Sequence, residues 1–168
     1  MLEIKADCAA QHCNDFVHGL TFLKESSVTQ ALENFQRAYD AAPVDDIYHN
    51  KYASFCGLTR VLSGDISGIG LCRQAVKQES IDGDVFLNLA YAEWHLKSRR
   101  RSIMVLEKGL HIDKQHPGLN RFKNYLGVRS KTVIAFIPRN SFLNKALGKI
   151  SRKSNSMAES CTLQKLLQ

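Results

Sequence analysis

The sequence predicts an all-α chain in which short antiparallel helix hairpins stack side by side. Three observations lead there. A small–large–small triplet, Ala31, Phe35 and Ala38, returns as Gly68, Cys72 and Ala75 and again as Ser102, Leu106 and Gly109, at offsets of 37 and 34 residues. Turn-forming pairs, Gly64-Asp65 and Lys97-Ser98, break the chain between apolar helical stretches. The composition, 44% hydrophobic and 23% charged over 168 residues, is that of a folded domain and not of a disordered chain.

The elements follow in order. Apolar residues at helical spacing predict helices over 13–25 and 28–41, the second stopped by Pro43. A second pair is expected over 47–63 and 67–79, after about three inserted residues near Asp45–Tyr48. A third pair is expected over 84–97 and 99–112. Pro117 then stands at the start of a last short helix that ends at Gly127. Small residues at 31, 38, 68, 75, 90 and 109 let two helices approach closely, while Phe35, Cys72 and Leu106 fill the space between hairpins. One hairpin cannot bury its apolar face; three stacked ones can.

In the first copy, Gly19 and Phe22 precede Ala31, Phe35, Ala38 and Pro43 in the spacing G-x2-aromatic, then A-x3-F-x2-A-x4-P. That pattern resembles the tetratricopeptide repeat. The second and third copies depart from it, ending on Ser80 and Lys114 where the first has Pro43. The resemblance covers about two thirds of the chain. It implies a right-handed superhelical solenoid of three repeats, over 12–45, 49–82 and 83–116, after a lead-in at 1–11 and before a capping helix at 117–128. It also implies that a ligand lies on the concave face formed by the first helix of each pair. In the register of the triplets, that face shows Phe16, Leu20 and Leu23, then Ala53, Gly57 and Arg60, then Leu87, Asn88, Tyr91 and Trp94, with Arg121 and Tyr125 from the cap. The expected peptide-binding residues are Phe16, Leu20, Arg60, Asn88, Tyr91, Trp94, Arg121 and Tyr125, because aromatic, Arg and Asn side chains anchor peptides. Phe16, Leu20, Ala53 and Gly57 stand where carboxylate-clamping members of the family carry Lys and Asn, so a hydrophobic or mixed peptide is expected instead.

Charge is divided unevenly. Of 23 basic and 16 acidic residues, 13 and 15 fall in residues 1–116, leaving 10 and 1 in residues 117–168. Residues 129–153 hold seven Lys or Arg and no acid. Phe142, Leu143, Ala146, Leu147 and Ile150 share a helical face there, with Arg139, Lys145, Lys149, Arg152 and Lys153 as the cations of a basic amphipathic segment. Such a segment suits an anionic membrane surface, or else folds back on the last repeat through Phe136, Phe142 and Leu143. Residues 154–168 read as a disordered tail. Nucleic acid is disfavoured, because the aromatics are not interleaved with the basic residues along the chain.

Catalysis is not expected. Six histidines are scattered without H-E-x-x-H spacing, His111 and His116 suit a surface or capping role, and no G-x-S-x-G or phosphate loop is present. No metal or cofactor is implied. Five cysteines with no C-x-x-C pair read as reduced thiols, with Cys56 and Cys72 filling the core, in a cytoplasmic setting. The expected function is a non-catalytic adaptor or assembly factor that holds a peptide segment of another protein. Two other roles follow less directly: a secretion-system chaperone, against which the basic C-terminal region argues, and a peripheral membrane scaffold using the basic segment.

Overall fold

The computed structural model describes residues 13–127. The lead-in at 1–11, the basic segment at 129–153 with Arg139, Lys145, Lys149, Arg152 and Lys153, and the tail at 154–168 lie outside the described residues. Seven helices follow one another: α1 (Asn14–Lys24), α2 (Val28–Ala41), α3 (His49–Leu62), α4 (Gly68–Gln78), α5 (Gly83–His95), α6 (Arg99–Ile112) and α7 (Pro117–Tyr125), with no strand among the described residues. α2 and α6 have the expected bounds, and the other helices end within two residues of theirs.

Helices pack as hairpins, α1 on α2, α3 on α4 and α5 on α6. α3 also meets α2 and α5, while α5 meets α4 and α7. One turn closes all three hairpins. Ser27 N–H donates to Phe22 O and Ser26 N–H to Leu23 O; Asp65 and Gly64 do the same to Arg60 and Val61, and Ser98 and Lys97 to Glu93 and Trp94. This paired 6→1 and 5→2 arrangement needs a left-handed residue after the helix, and Ser26 (φ 63°), Gly64 (φ 98°) and Lys97 (φ 61°) supply it. Only Gly64 adopts that conformation without steric cost. Ser26→Gly and Lys97→Gly are therefore each expected to stabilise the fold by about 0.5–1 kcal/mol, read as a rise in thermal midpoint.

The turns fix the register of the first helices. Counting back from Ser26, Gly64 and Lys97 aligns Gly19 with Gly57 and Ala90, Leu20 with Leu58 and Tyr91, and Phe22 with Arg60 and Glu93. The middle hairpin is the tightest. A Cβ on Gly57 would sit 2.6 Å from Gly68 O and 2.7 Å from Cys72 Sγ, and one on Gly68 would collide with Gly57 O. In the third hairpin Ser102 stands opposite Ala90 and donates Oγ–H to its carbonyl at 2.8 Å.

Three large apolar clusters follow one another along the stack, with a smaller one at Ala53, Ala75 and Val85. Phe16, Leu23, Ala31, Phe35, Tyr52 and Phe55 form the first. Leu58, Val61, Cys72, Leu89 and Ala92 form the second, and Phe86, Leu87, Leu106, Leu119 and Phe122 the third. Every residue from Tyr52 to Thr59 is buried, so α3 is enclosed on all sides, as expected of a central helix.

Candidate functional site

The first-helix face is closed in its middle and open towards the end of the described chain. In the register set by the turns, its rows are Phe16–Ser54–Leu87, Leu20–Leu58–Tyr91 and Leu23–Val61–Trp94. Ser54, Leu58 and Val61 are buried, as are Phe16, Leu23 and Leu87, while Leu20, Tyr91 and Trp94 keep partial exposure. Tyr125 of α7 is 44% exposed, and its ring meets Trp94 edge-on at 6.0 Å. Tyr91 packs on Phe122 at 5.4 Å, and Phe122 in turn stacks on Tyr125. Arg99 extends from the start of α6, its guanidinium over the Trp94 ring at 6.0 Å, and donates to Leu126 O at 2.8 Å. Arg121, one turn before Tyr125 on α7, is exposed.

Of the eight residues expected on a peptide-binding face, the structure brings Tyr91, Trp94, Arg121 and Tyr125 to one end. Leu20 lies apart on α1. Phe16 is in the first apolar cluster, where it touches Phe35, Tyr52 and Phe55. Asn88 is buried and donates Nδ2–H to Ser54 Oγ at 2.9 Å, which leaves it unable to reach an extended backbone. Arg60 faces a different direction: its guanidinium donates to Gln36 Oε1 on α2. The aligned residue in the next hairpin, Glu93, accepts from Arg73 Nε and Nη2 on α4, at 3.1 and 2.6 Å. Arg60 and Glu93 thus tie each first helix to the second helix of the preceding hairpin.

Arg99 is not among the eight residues expected from the sequence. The signal was its position. Three cations occupy the first turn of α6, where the helix dipole favours anions, and no acid accompanies them.

Titratable groups also meet at the opposite ends of α5 and α7. Lys51 Nζ lies 2.7 Å from Asp84 Oδ2 and 3.2 Å from Asp82 Oδ2. His116 Nε2 lies 3.1 Å from Asp84 Oδ1, while its Nδ1 accepts from Leu119 N–H and caps α7. With Nδ1 accepting, the ring proton sits on Nε2 and points at Asp84. Burial would raise the Asp84 carboxyl, but the His116 hydrogen bond and the Lys51 charge outweigh it and hold the pKa near about 2. The same contact with Asp84 raises the His116 pKa. A depressed carboxyl stabilises the fold above its unfolded pKa near ~4, and that stability is lost as pH falls towards 2. The side chain is a third exposed, so solvent screening leaves about 1 kcal/mol. Denaturant titrations between pH 5 and pH 2 are expected to show this loss, and Asp84→Asn to flatten it. The cluster joins α3, α5 and α7 through groups that satisfy one another, an arrangement suited to fixing the spacing of first helices.

Burial raises the thiols of Cys56 and, up to about 12, of Cys72, so both stay protonated as core fillers. Among the described residues, no group of three or more His, Cys, Asp and Glu is placed to hold a metal ion, and no helix is long and apolar enough to cross a membrane. A cleft of about 420 Å³ lies beside the inserted loop, between Ala38, Ala42, Asp46, Tyr48 and Tyr52, with Ile47 at its rim. No protein-family model matches the chain, and neither a curated protein nor a solved structure matches it.

Proposed function

We propose that the chain is a tetratricopeptide-type helical scaffold, three repeats and a capping helix, that holds a peptide segment of a partner protein and performs no chemistry on it. The observation that carries this reading is the recurrence of one hairpin plan. The same turn closes α1–α2, α3–α4 and α5–α6, and each first helix is tied back to the preceding second helix through Gln36–Arg60 and Arg73–Glu93. Contacts among the helices run mainly between neighbours in the chain, the organisation of a stacked repeat array. In that reading α7 takes the place of the next first helix and closes the third cluster with Leu119 and Phe122. A stack of this kind offers a preformed surface, and the accessible aromatic and arginine side chains at its α5–α7 end are the types that dominate binding energy in interfaces.

Photo-cross-linking tests it directly. A photoreactive residue at Leu20, Tyr91 or Tyr125 is expected to capture a discrete partner segment in cells. The same residue on second-helix surfaces, at Glu33, Gln74 or Glu107, is expected not to. Equal capture from both sets, or none from the first helices, would reject the scaffold reading.

A further inference from the structure

We propose that the end of the α5–α7 face built by Trp94, Tyr125, Arg99 and Arg121 docks an acidic peptide segment carrying one large apolar anchor. This rests on the scaffold reading above and adds the chemistry of the partner. The first ground is charge. Lys97, three residues after Trp94, Arg99, over its ring, and Arg121, one turn before Tyr125, are all exposed. α7 carries no acidic residue, and Glu93, the acid beside Trp94 on α5, is only 2% exposed and held by Arg73.

The second ground is electrostatic tension. Arg99, Arg100 and Arg101 sit where α6 presents its positive dipole end, so each is disfavoured in the free protein. Glu93 Oε2 relieves it only in part, lying 3.8 Å from Arg101 Nη1 without a hydrogen-bond donor among the described residues. Carboxylates arriving from a partner would relieve it further. Guanidinium groups accept carboxylates in a two-pronged fit, which supplies direction as well as charge.

The third ground is the state of the rings. Arg99 lies over Trp94, and Phe122 stacks on Tyr125 at an interplanar angle of 15°. Faces already covered in this way are poor platforms for nucleobases, which need open stacking surfaces. The exposed part of Tyr125 and the partly exposed Trp94 instead offer an apolar ledge for a side chain. The combination selects a peptide over a nucleic acid.

Fluorescence polarisation with the full chain tests this. The probe is a fluorescein-labelled decapeptide of Glu and Asp around one Phe. Its comparators are the same peptide with Ala for Phe, a version with Lys for every acid, and a ten-nucleotide oligothymidylate. The acidic Phe probe is expected to bind at least tenfold tighter than each comparator. Arg99→Glu combined with Arg121→Glu, and separately Tyr125→Ala, are expected to weaken it at least tenfold. Ile47→Ser, at the distant α2–α3 loop, should leave it unchanged. A Glu at position 99 suits the α6 dipole, so an unchanged thermal melt separates lost binding from lost fold. Equal binding of the Lys peptide, tighter binding of the oligothymidylate, or full binding by the charge-reversed variant would overturn the proposal. Cross-linking from Tyr91 to a segment without acids would overturn the partner chemistry while the scaffold reading stands. Absence of both cross-link and probe binding would overturn both.

Discussion

Phe35→Ala is expected to destabilise the α1–α2 hairpin by about 3–5 kcal/mol, the cost of emptying a large aromatic site in a packed core. Phe35 is fully buried, with Phe16 and Phe55 rings 5.5 and 5.2 Å away. The missing side chain of Gly19 makes its space: a Cβ there would stand 2.6 Å from the Phe35 ring. No nearby group can collapse into the void without breaking the ring contacts that link α1 to α3. In a stack held by neighbour contacts, the loss should stay local. Amide hydrogen exchange is the measurement. Protection is expected to fall through residues 14–41 and to persist in α5 and α6. Uniform loss across all seven helices would show a single cooperative core instead.

Gly57→Ala is the second large effect, about 3 kcal/mol, because overpacking against backbone leaves little room to adjust. The added methyl would meet a carbonyl oxygen at 2.6 Å, the Cys72 sulfur at 2.7 Å and the Cys72 amide nitrogen at 3.0 Å. Two of the three are main-chain atoms, so relief requires α3 and α4 to separate. Since α3 is enclosed by α2, α4 and α5, that separation disturbs the whole stack. Denaturant unfolding should show the midpoint fall for the full chain. Gly70→Ala, where a Cβ would meet nothing within 4 Å, serves as the control and is expected to be neutral or mildly stabilising.

Most of the helix plan was legible in the sequence because it rests on local rules. Ala31, Phe35 and Ala38 mark one face of α2, Pro117 marks the start of α7, and Gly64 marks a turn. The face of α3 was not. Carrying the triplet offsets of 37 and 34 residues to the first helices places Arg60 beside Leu23 and Trp94. The structure pairs Ser26 with Ala31 and Lys97 with Ser102 five residues on, but Gly64 with Gly68 only four on. A single residue in that turn rotates α3 by about 100° relative to the expected register. Arg60 consequently reaches back to Gln36, and Ser54, Leu58 and Val61 take the places expected of Ala53, Gly57 and Arg60. No spacing within α3 itself reveals this, since the helix is buried nearly all round, Ser54 and Thr59 included. Asn88 illustrates a different limit: its residue type suits a ligand, but its partner, Ser54, lies 34 residues away.

The placement of Trp94 beside Arg99 and Tyr125 depends on that same long-range packing. Along the chain the aromatics and arginines are separate; in space Arg99 covers one ring and Arg121 stands a turn from the other. His116, expected on the surface or as a cap, is a cap, and it also holds Asp84.

The most direct measurement is amide NMR of the labelled full chain, titrated with the partner segment captured at Tyr91 and made as a synthetic peptide. Shifts concentrated in residues 87–99 and 118–126 are the expected result. Shifts confined to the outer surfaces of α2, α4 and α6 would contradict recognition on the first-helix face.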